Sequence, residues 1–217
     1  MREPLTVALL AMTFASGMVD AISYLGLGRV FTANMTGNVV LLGFGIAHSG
    51  GLPVLPPIVS LGSFVLGAAI GGLLGTKLGH RHAVHVGSAW TLQATLITCA
   101  TILAAAVNLQ TSPASRDVVI GILALAMGIQ TATARRLAVP DLPTTVVTQT
   151  LTGLVADSQL FGGSGKGTTR RGSAVAAMLG GAVAGALLLK ASLVLALALT
   201  GGLILLIQIA YLPAARR

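Results

Sequence analysis

Long apolar stretches separated by short polar breaks run through the whole chain. Six of them, at about 5–27, 57–76, 84–107, 117–136, 172–190 and 192–212, come close to the roughly 20 residues that a helix needs to cross a hydrocarbon core about 30 Å thick. Two further stretches, FTANMTGNVVLLGFGIA (31–47) and TTVVTQTLTGLVADS (144–158), are shorter and more polar. They read either as two more spans or as half-helices that enter and leave on one side. The first long stretch carries an acid, Asp20, past its middle. A charge at such a position costs at least about 2.5–3.5 kcal/mol on insertion scales, so it faces a protein interior or a wet cavity. Asp20 is thus a candidate for a proton or ion pathway. The plainer reading is a neutral acid hydrogen-bonded to a neighbouring helix.

Basic residues decide between six and eight spans. With six spans and a cytoplasmic N-terminus, only Arg29, Arg116 and Lys190 of the 13 lysines and arginines fall on the outer side. With eight, Lys77, Arg81, Arg135 and Arg136 also move out while Arg116 moves in, and the two sides come close to balance. Cytoplasmic loops carry the excess of Lys and Arg, so the pattern predicts six spans with both termini inside. The N-terminal MREPLTVALL has no separate basic region or small-residue cleavage site, and it reads as the first span, not a removable signal.

The two short stretches match each other. VFTANMTGNVVLLG and LPTTVVTQTLTGLV align at an offset of 112, pairing Thr32 with Thr144, Met35 with Val147, Thr36 with Thr148 and Asn38 with Thr150. Upstream, ASGMVDA matches AMGIQTA at an offset of 111, pairing Gly17 with Gly128 and Asp20 with Thr131. Downstream, the small-residue region around Gly71 and Gly72 corresponds to that around Gly180 and Gly181. The expected fold class is an all-α integral membrane protein, one domain over 1–217. Its six transmembrane helices form two inverted three-helix repeats, about 5–107 and 117–212, each with a short polar half-helical segment. Inverted repeats are a common plan of secondary carriers, and paired interrupted segments point to their binding site.

Composition agrees and removes other classes. Apolar residues make up 54% of 217 and charged residues 8%, with mean hydropathy +0.91. A soluble domain carries about 25% charged residues. The net charge of +8 comes from residues at the ends of apolar stretches, which topology explains, so no nucleic-acid partner is expected. Cys99, alone in its type, reads as a small buried hydrophobe. His80, His82 and His85 lie in or beside one basic loop without a nearby carboxylate or thiol, and no metal or other cofactor is expected. GGSGKGTTRR (162–171) lacks the order of a phosphate-binding loop and reads as a flexible basic linker. No enzyme constellation is present.

The polar residues offer a site. On a helix, Asn34 and Asn38 share one face, as do Thr32 and Thr36. The second segment brings Thr145, Thr148, Gln149, Thr150 and Thr152. Uncharged amides and hydroxyls can hold a small polar solute without the desolvation penalty of fixed charges; alternatively they join helices, at about 0.6 kcal/mol each. Gly37 permits close approach of backbone or ligand. Ser16 and Tyr24, four residues either side of Asp20, are placed to hydrogen-bond its carboxyl. Trp90 reads as an interfacial anchor and Gln93 as inward-facing. Gly67, Gly71 and Gly75, and likewise Ala177, Gly181 and Gly185, form rows that permit close helix packing, within one chain or between two.

SGMVDAISYLGLGRVFTANMTGN (16–38) resembles the signature of the YoaK-like bacterial membrane proteins, a family of unknown function, and TVVTQTLTGLVADS fits it too, with Gln149 where a glycine is expected. The resemblance covers essentially the whole chain and implies a bacterial inner-membrane protein. GLLGTKLGHR (72–81) is similar to the loop after the second helix of the major facilitator superfamily, although Thr76 replaces its acid. That likeness implies half a facilitator, which needs a homodimer to enclose a path. The expected function is a small secondary carrier for a polar or organic solute, coupled to protons. Asp20 takes the proton, with Ser16 and Tyr24 beside it, and Thr32, Asn34, Thr36, Asn38, Thr148, Gln149 and Thr150 complete the substrate or proton pathway. The rival reading is a non-transporting membrane scaffold or regulator.

Reporter fusions after Lys77, within 162–171 and at the C-terminus are expected to read cytoplasmic, because those segments carry most of the positive charge. A periplasmic readout after Lys77 rules out the six-span arrangement.

Overall fold

A computed structural model describes residues 2–109, 111–137, 147–158, 162–165 and 167–215. The described residues form eight α-helices: α1 (Arg2–Gly26), α2 (Met35–Ile46), α3 (Leu55–Leu78), α4 (His82–Ala106), α5 (Pro113–Leu137), α6 (Val147–Ala156), α7 (Thr168–Ala191) and α8 (Leu193–Ala215). Six of these are long and apolar enough to cross a membrane, and they match the six expected stretches. The short helices α2 and α6, of 12 and 10 residues, rise only about 18 and 15 Å at 1.5 Å per residue. The described length of each is shorter than a 30 Å core.

Helix directions are those that six crossings require. Phe14 lies against Gly181 and Met18 against Gly185, so α1 and α7 run parallel. Leu125 lies against Gly67 and Ile129 against Gly71, so α5 and α3 do too. Thr91 bonds Gln208 while Ile97 meets Gly201, so α4 and α8 run antiparallel. If α6 crossed, α8 would run parallel to α4. If α6 does not cross but α2 did, α7 would oppose α1.

Glycines set the closest helix pairs, and they do so within the chain. A Cβ on Gly17 would strike the Met178 carbonyl of α7, and one on Gly181 the Phe14 carbonyl of α1. Likewise a Cβ on Gly128 would strike the Phe64 carbonyl of α3, and one on Gly67 the Leu125 carbonyl of α5. Backbones this close gain dispersion contact, which must hold helices together where lipid is as apolar as the side chains. Each pair joins a helix of the first half of the chain to one of the second. Gly75 and Gly79 make room instead for the Arg136 side chain, which is the packing role of the 72–81 stretch.

α1 and α5 form the centre, with Met12, Val19, Ile22, Ile120, Leu123 and Met127 buried. Gln130 of α5 donates to Ser16 Oγ at 2.8 Å and accepts from Gln93 of α4, all three side chains buried. Trp90 is also inside, 1% exposed and 5.3 Å from the Tyr211 ring, and is not an interfacial anchor. It faces the α8 side of α4, which the apolar run around it does not reveal. Cys99 is exposed on the outer face of α4. The glycine-rich linker is tied down: Gly163 N–H donates to Ser158 O at 2.9 Å and Gly165 N–H to Asp157 O at 2.8 Å. Arg171 of α7 pairs with Asp157 at 2.7 Å and donates to Gly153 O at 2.7 Å, placing a cation on the last turn of α6.

Gly181→Leu and Gly17→Leu are expected to lower stability in detergent by at least about 1–3 kcal/mol, the range for overpacking. Gly72→Leu, at a position whose Cβ meets nothing within 4 Å, is expected to leave the melting temperature within a degree or two. Equal effects at all three positions would remove the close-packing account.

Candidate functional site

α1 ends in a tight turn. Arg29 N–H donates back to Tyr24 O at 3.0 Å across Gly28, whose φ of +106° suits a residue without a Cβ. The chain then doubles back along α1 in non-helical form. Backbone without regular structure is tolerated at membrane depth only where protein buries it, and Val30, Thr32 and Ala33 are 0–2% exposed.

Asp20 satisfies this returning segment. Its Oδ1 accepts the backbone N–H groups of Ala33 at 2.7 Å, Thr32 at 3.0 Å and Asn34 at 3.4 Å. Asn38 secures the preceding peptide: its Oδ1 accepts Phe31 N–H at 2.9 Å, and its Nδ2 donates to Phe31 O at 2.7 Å and Ser60 Oγ at 2.9 Å. Ser60 of α3 donates to the same Phe31 O at 2.7 Å. The Phe31 ring stacks on Tyr24 with centroids 4.8 Å apart and lies over Gly37, whose absent Cβ would meet it at 2.7 Å. Asn34 caps α2 by accepting Gly37 N–H at 3.3 Å.

The other carboxyl oxygen of Asp20 is different. Oδ2 is buried and has no hydrogen-bond partner among the described residues, and Asp20 lines a cavity of about 880 Å³. The first turns of α2 (Met35, Thr36, Gly37) and α6 (Val147, Thr148, Gln149) line that same cavity. So do Tyr24, Phe31, Asn34, Phe64, Thr131 and Met178. Residues that align at an offset of 112 thus meet around one space. N–H groups of a helix's first turn lack intrahelical partners and carry partial positive charge. The cavity therefore offers an acid oxygen, hydroxyls, amides and aromatic faces together.

Of the sequence candidates, Asp20, Tyr24, Asn34, Thr36, Thr148 and Gln149 line this cavity, while Ser16, Thr32, Asn38 and Thr150 do not. Four local expectations are corrected. Ser16 and Tyr24 do not bond Asp20: Ser16 donates to Met12 O at 3.0 Å and serves Gln130, and Tyr24 stacks on Phe31. Thr32 and Asn34 stand outside α2, which starts at Met35, so the shared helix faces do not form. Asn38 is fully buried and latches backbone instead of facing solute. Gly37 admits the Phe31 ring, although it also borders the cavity. Thr150 is buried on α6, Thr152 bonds back to Thr148 O at 2.9 Å, and Thr145 lies outside the described residues. Ser60, Phe64 and Met178 were not foreseen, since single residues in an apolar run carry no periodic signal.

A profile of a family described as "Protein of unknown function (DUF1275)" matches residues 8–210. The chain is 35% identical over 151 residues to the UPF0700 transmembrane protein YoaK of Bacillus subtilis (strain 168), a match covering 70% of this chain and 65% of that protein. The chain thus matches somewhat less than two thirds of that relative's length. No solved structure matches, and the likeness of residues 72–81 to a facilitator loop finds no further support.

Asn38→Ala leaves Phe31 N–H unpaired in an apolar interior, a loss of about 1–3 kcal/mol. The expected readouts are a lower melting temperature and faster maleimide labelling of a cysteine placed at Ala33. Unchanged labelling would show that Asn38 does not hold the segment.

Proposed function

This chain belongs to the DUF1275 family, and we propose that it is a proton-coupled secondary carrier for a small organic solute. The observation that carries the reading is the cavity of about 880 Å³ into which both half-helices and Asp20 converge. Its volume lies in the range of small-molecule sites. Six long apolar helices plus two short ones starting at a common cavity match the discontinuous-helix plan of carriers.

Equivalent contacts support a two-fold relation between α1–α4 and α5–α8 with the halves inverted. Gly17 on Met178 matches Gly128 on Phe64, and Gly181 on Phe14 matches Gly67 on Leu125. Under that relation Ser16 facing Gln130 sets the axis between Gly17 and Met18. Asp20 then stands only two to three residues beyond the axis, ~4 Å at 1.5 Å per residue, close to the middle of the bilayer. The described lining comes from α1, α2, α3, α5, α6 and α7 of one chain, and this reading places the path within that chain. It puts the protein in a bacterial inner membrane with both termini in the cytoplasm, following the basic loops.

Coupling follows from the two carboxyl oxygens. Oδ1 is committed to three N–H donors, so a proton is gained and lost at Oδ2, which has no described partner and belongs to a residue that borders the cavity. Asp20→Asn keeps the Oδ1 acceptor and thus the returning segment. It is expected to melt within a few degrees of the wild type but to lose pH-driven uptake in proteoliposomes. Uptake and dye-monitored proton flux across a panel of labelled amines, alcohols, sugars and carboxylates check this. Wild-type vesicles that move none of the panel faster than protein-free vesicles would sink the carrier reading and favour the scaffold.

A further inference from the structure

A second cavity, of about 440 Å³, adjoins the first at Asp20. Asp20, Tyr24, Phe31, Asn34 and Met178 line both. The rest of its wall is apolar or small: Gly17, Ala21 and Leu25 of α1, and Ala182, Val183 and Ala186 of α7. Leu25 is 60% exposed and Val183 51%, so this groove opens on the outer surface that lipid covers. The acid therefore stands where a larger, partly polar chamber meets an apolar groove reaching the bilayer.

Charge determines what fits there. Among the described residues that line the two cavities, Asp20 is the one with a charged form at neutral pH, and Tyr24 is the other titratable group. The residues facing it from α3, α5, α6 and α7, namely Phe64, Thr131, Thr148, Gln149 and Met178, are uncharged. The α2 end is already matched by Oδ1, through the N–H groups that precede that helix. Oδ2 is left, in a residue 5% exposed and with no described partner. A lone carboxylate oxygen in a low-dielectric site calls for a proton or a cation. A bare metal ion is ill-suited, since hard cations need about six oxygens at close range. The Tyr24, Phe31 and Phe64 rings and the Met35 and Met178 thioethers suit an organic cation with an apolar body.

From these observations we propose that the solute is an amphiphilic organic amine, its ammonium on Asp20 Oδ2 and its apolar part in the α1–α7 groove. This assignment rests on the carrier reading for its direction of transport, but not for binding. The ammonium and the proton compete for one oxygen: the amine enters as R-NH3+, the carboxyl proton leaves from Oδ2, and charge is conserved. Alternating occupancy of this kind makes the carrier an exchanger of protons for amines.

The test uses the full chain purified in detergent. The probes are 2-phenylethylamine and tetrapropylammonium, with 2-phenylethanol and 3-phenylpropionate as neutral and anionic counterparts, measured by calorimetry. The amines are expected to bind saturably, with about one proton released per amine below the pH where Asp20 ionises. Their apparent affinity should fall by up to about tenfold per pH unit in that range. The alcohol and the acid should bind at least tenfold more weakly. Asp20→Asn should abolish amine binding and proton release together, while Val183→Trp, which fills the groove, should weaken the amines and leave the melting temperature near that of the wild type. Equal binding of all three phenyl probes, amine binding that survives Asp20→Asn, or no amine binding by the folded wild type would each overturn the assignment. Intact amine binding without amine-driven proton flux in vesicles would overturn the carrier reading alone.

Discussion

A backbone that turns back inside a membrane must find partners for its peptide groups within the protein. Here one carboxylate oxygen provides them. Asp20 Oδ1 holds the N–H groups of three consecutive residues, Thr32 to Asn34, and Asn38 with Ser60 holds the Phe31 peptide. Without these bonds residues 27–34 could not lie against α1, α2 would not start beside it, and the cavity would lose one wall.

The same arrangement separates the two jobs of the acid. Structural work falls on Oδ1 and leaves Oδ2 buried without a described partner, on a residue that borders the cavity. Burying a charge without compensation is expensive; three charge-assisted N–H bonds offset part of that expense while leaving one oxygen for exchange with a ligand. Thr131, which aligns with Asp20 at an offset of 111, borders the same cavity. The two aligned positions thus differ in charge, and the acid appears once in the described lining.

Helix packing supplies the frame. Lipid gives helices no hydrophobic reason to associate, so the contact surface itself must. Glycines at 17, 67, 128 and 181 let carbonyl backbones touch directly, and each such contact joins opposite halves of the chain. The two parts of the chain therefore pack as one unit, and Phe64 and Met178, which take part in these contacts, also line the cavity. The polar chain Ser16–Gln130–Gln93 crosses the same centre and adds register.

Much of this was legible in the residues. Apolar run lengths determined six long helices, because the thickness of hydrocarbon sets a minimum helix length, and the distribution of basic residues favoured the same six as the crossings. The weak repeat pointed to Thr36 with Thr148 and to Asp20 with Thr131, and all four border one cavity. Local hydrogen bonding was not legible. Helical spacing put Ser16 and Tyr24 beside Asp20, yet its partners are main-chain groups 12 to 14 residues away. Every residue carries such an N–H, so sequence does not mark which one a carboxylate will meet. Likewise Asn38 looked like a solute ligand because an amide serves a solute or a peptide equally well. Only the return of the chain after Gly28, and the resulting distances, decided that Asn38 holds backbone and Asp20 keeps one oxygen free.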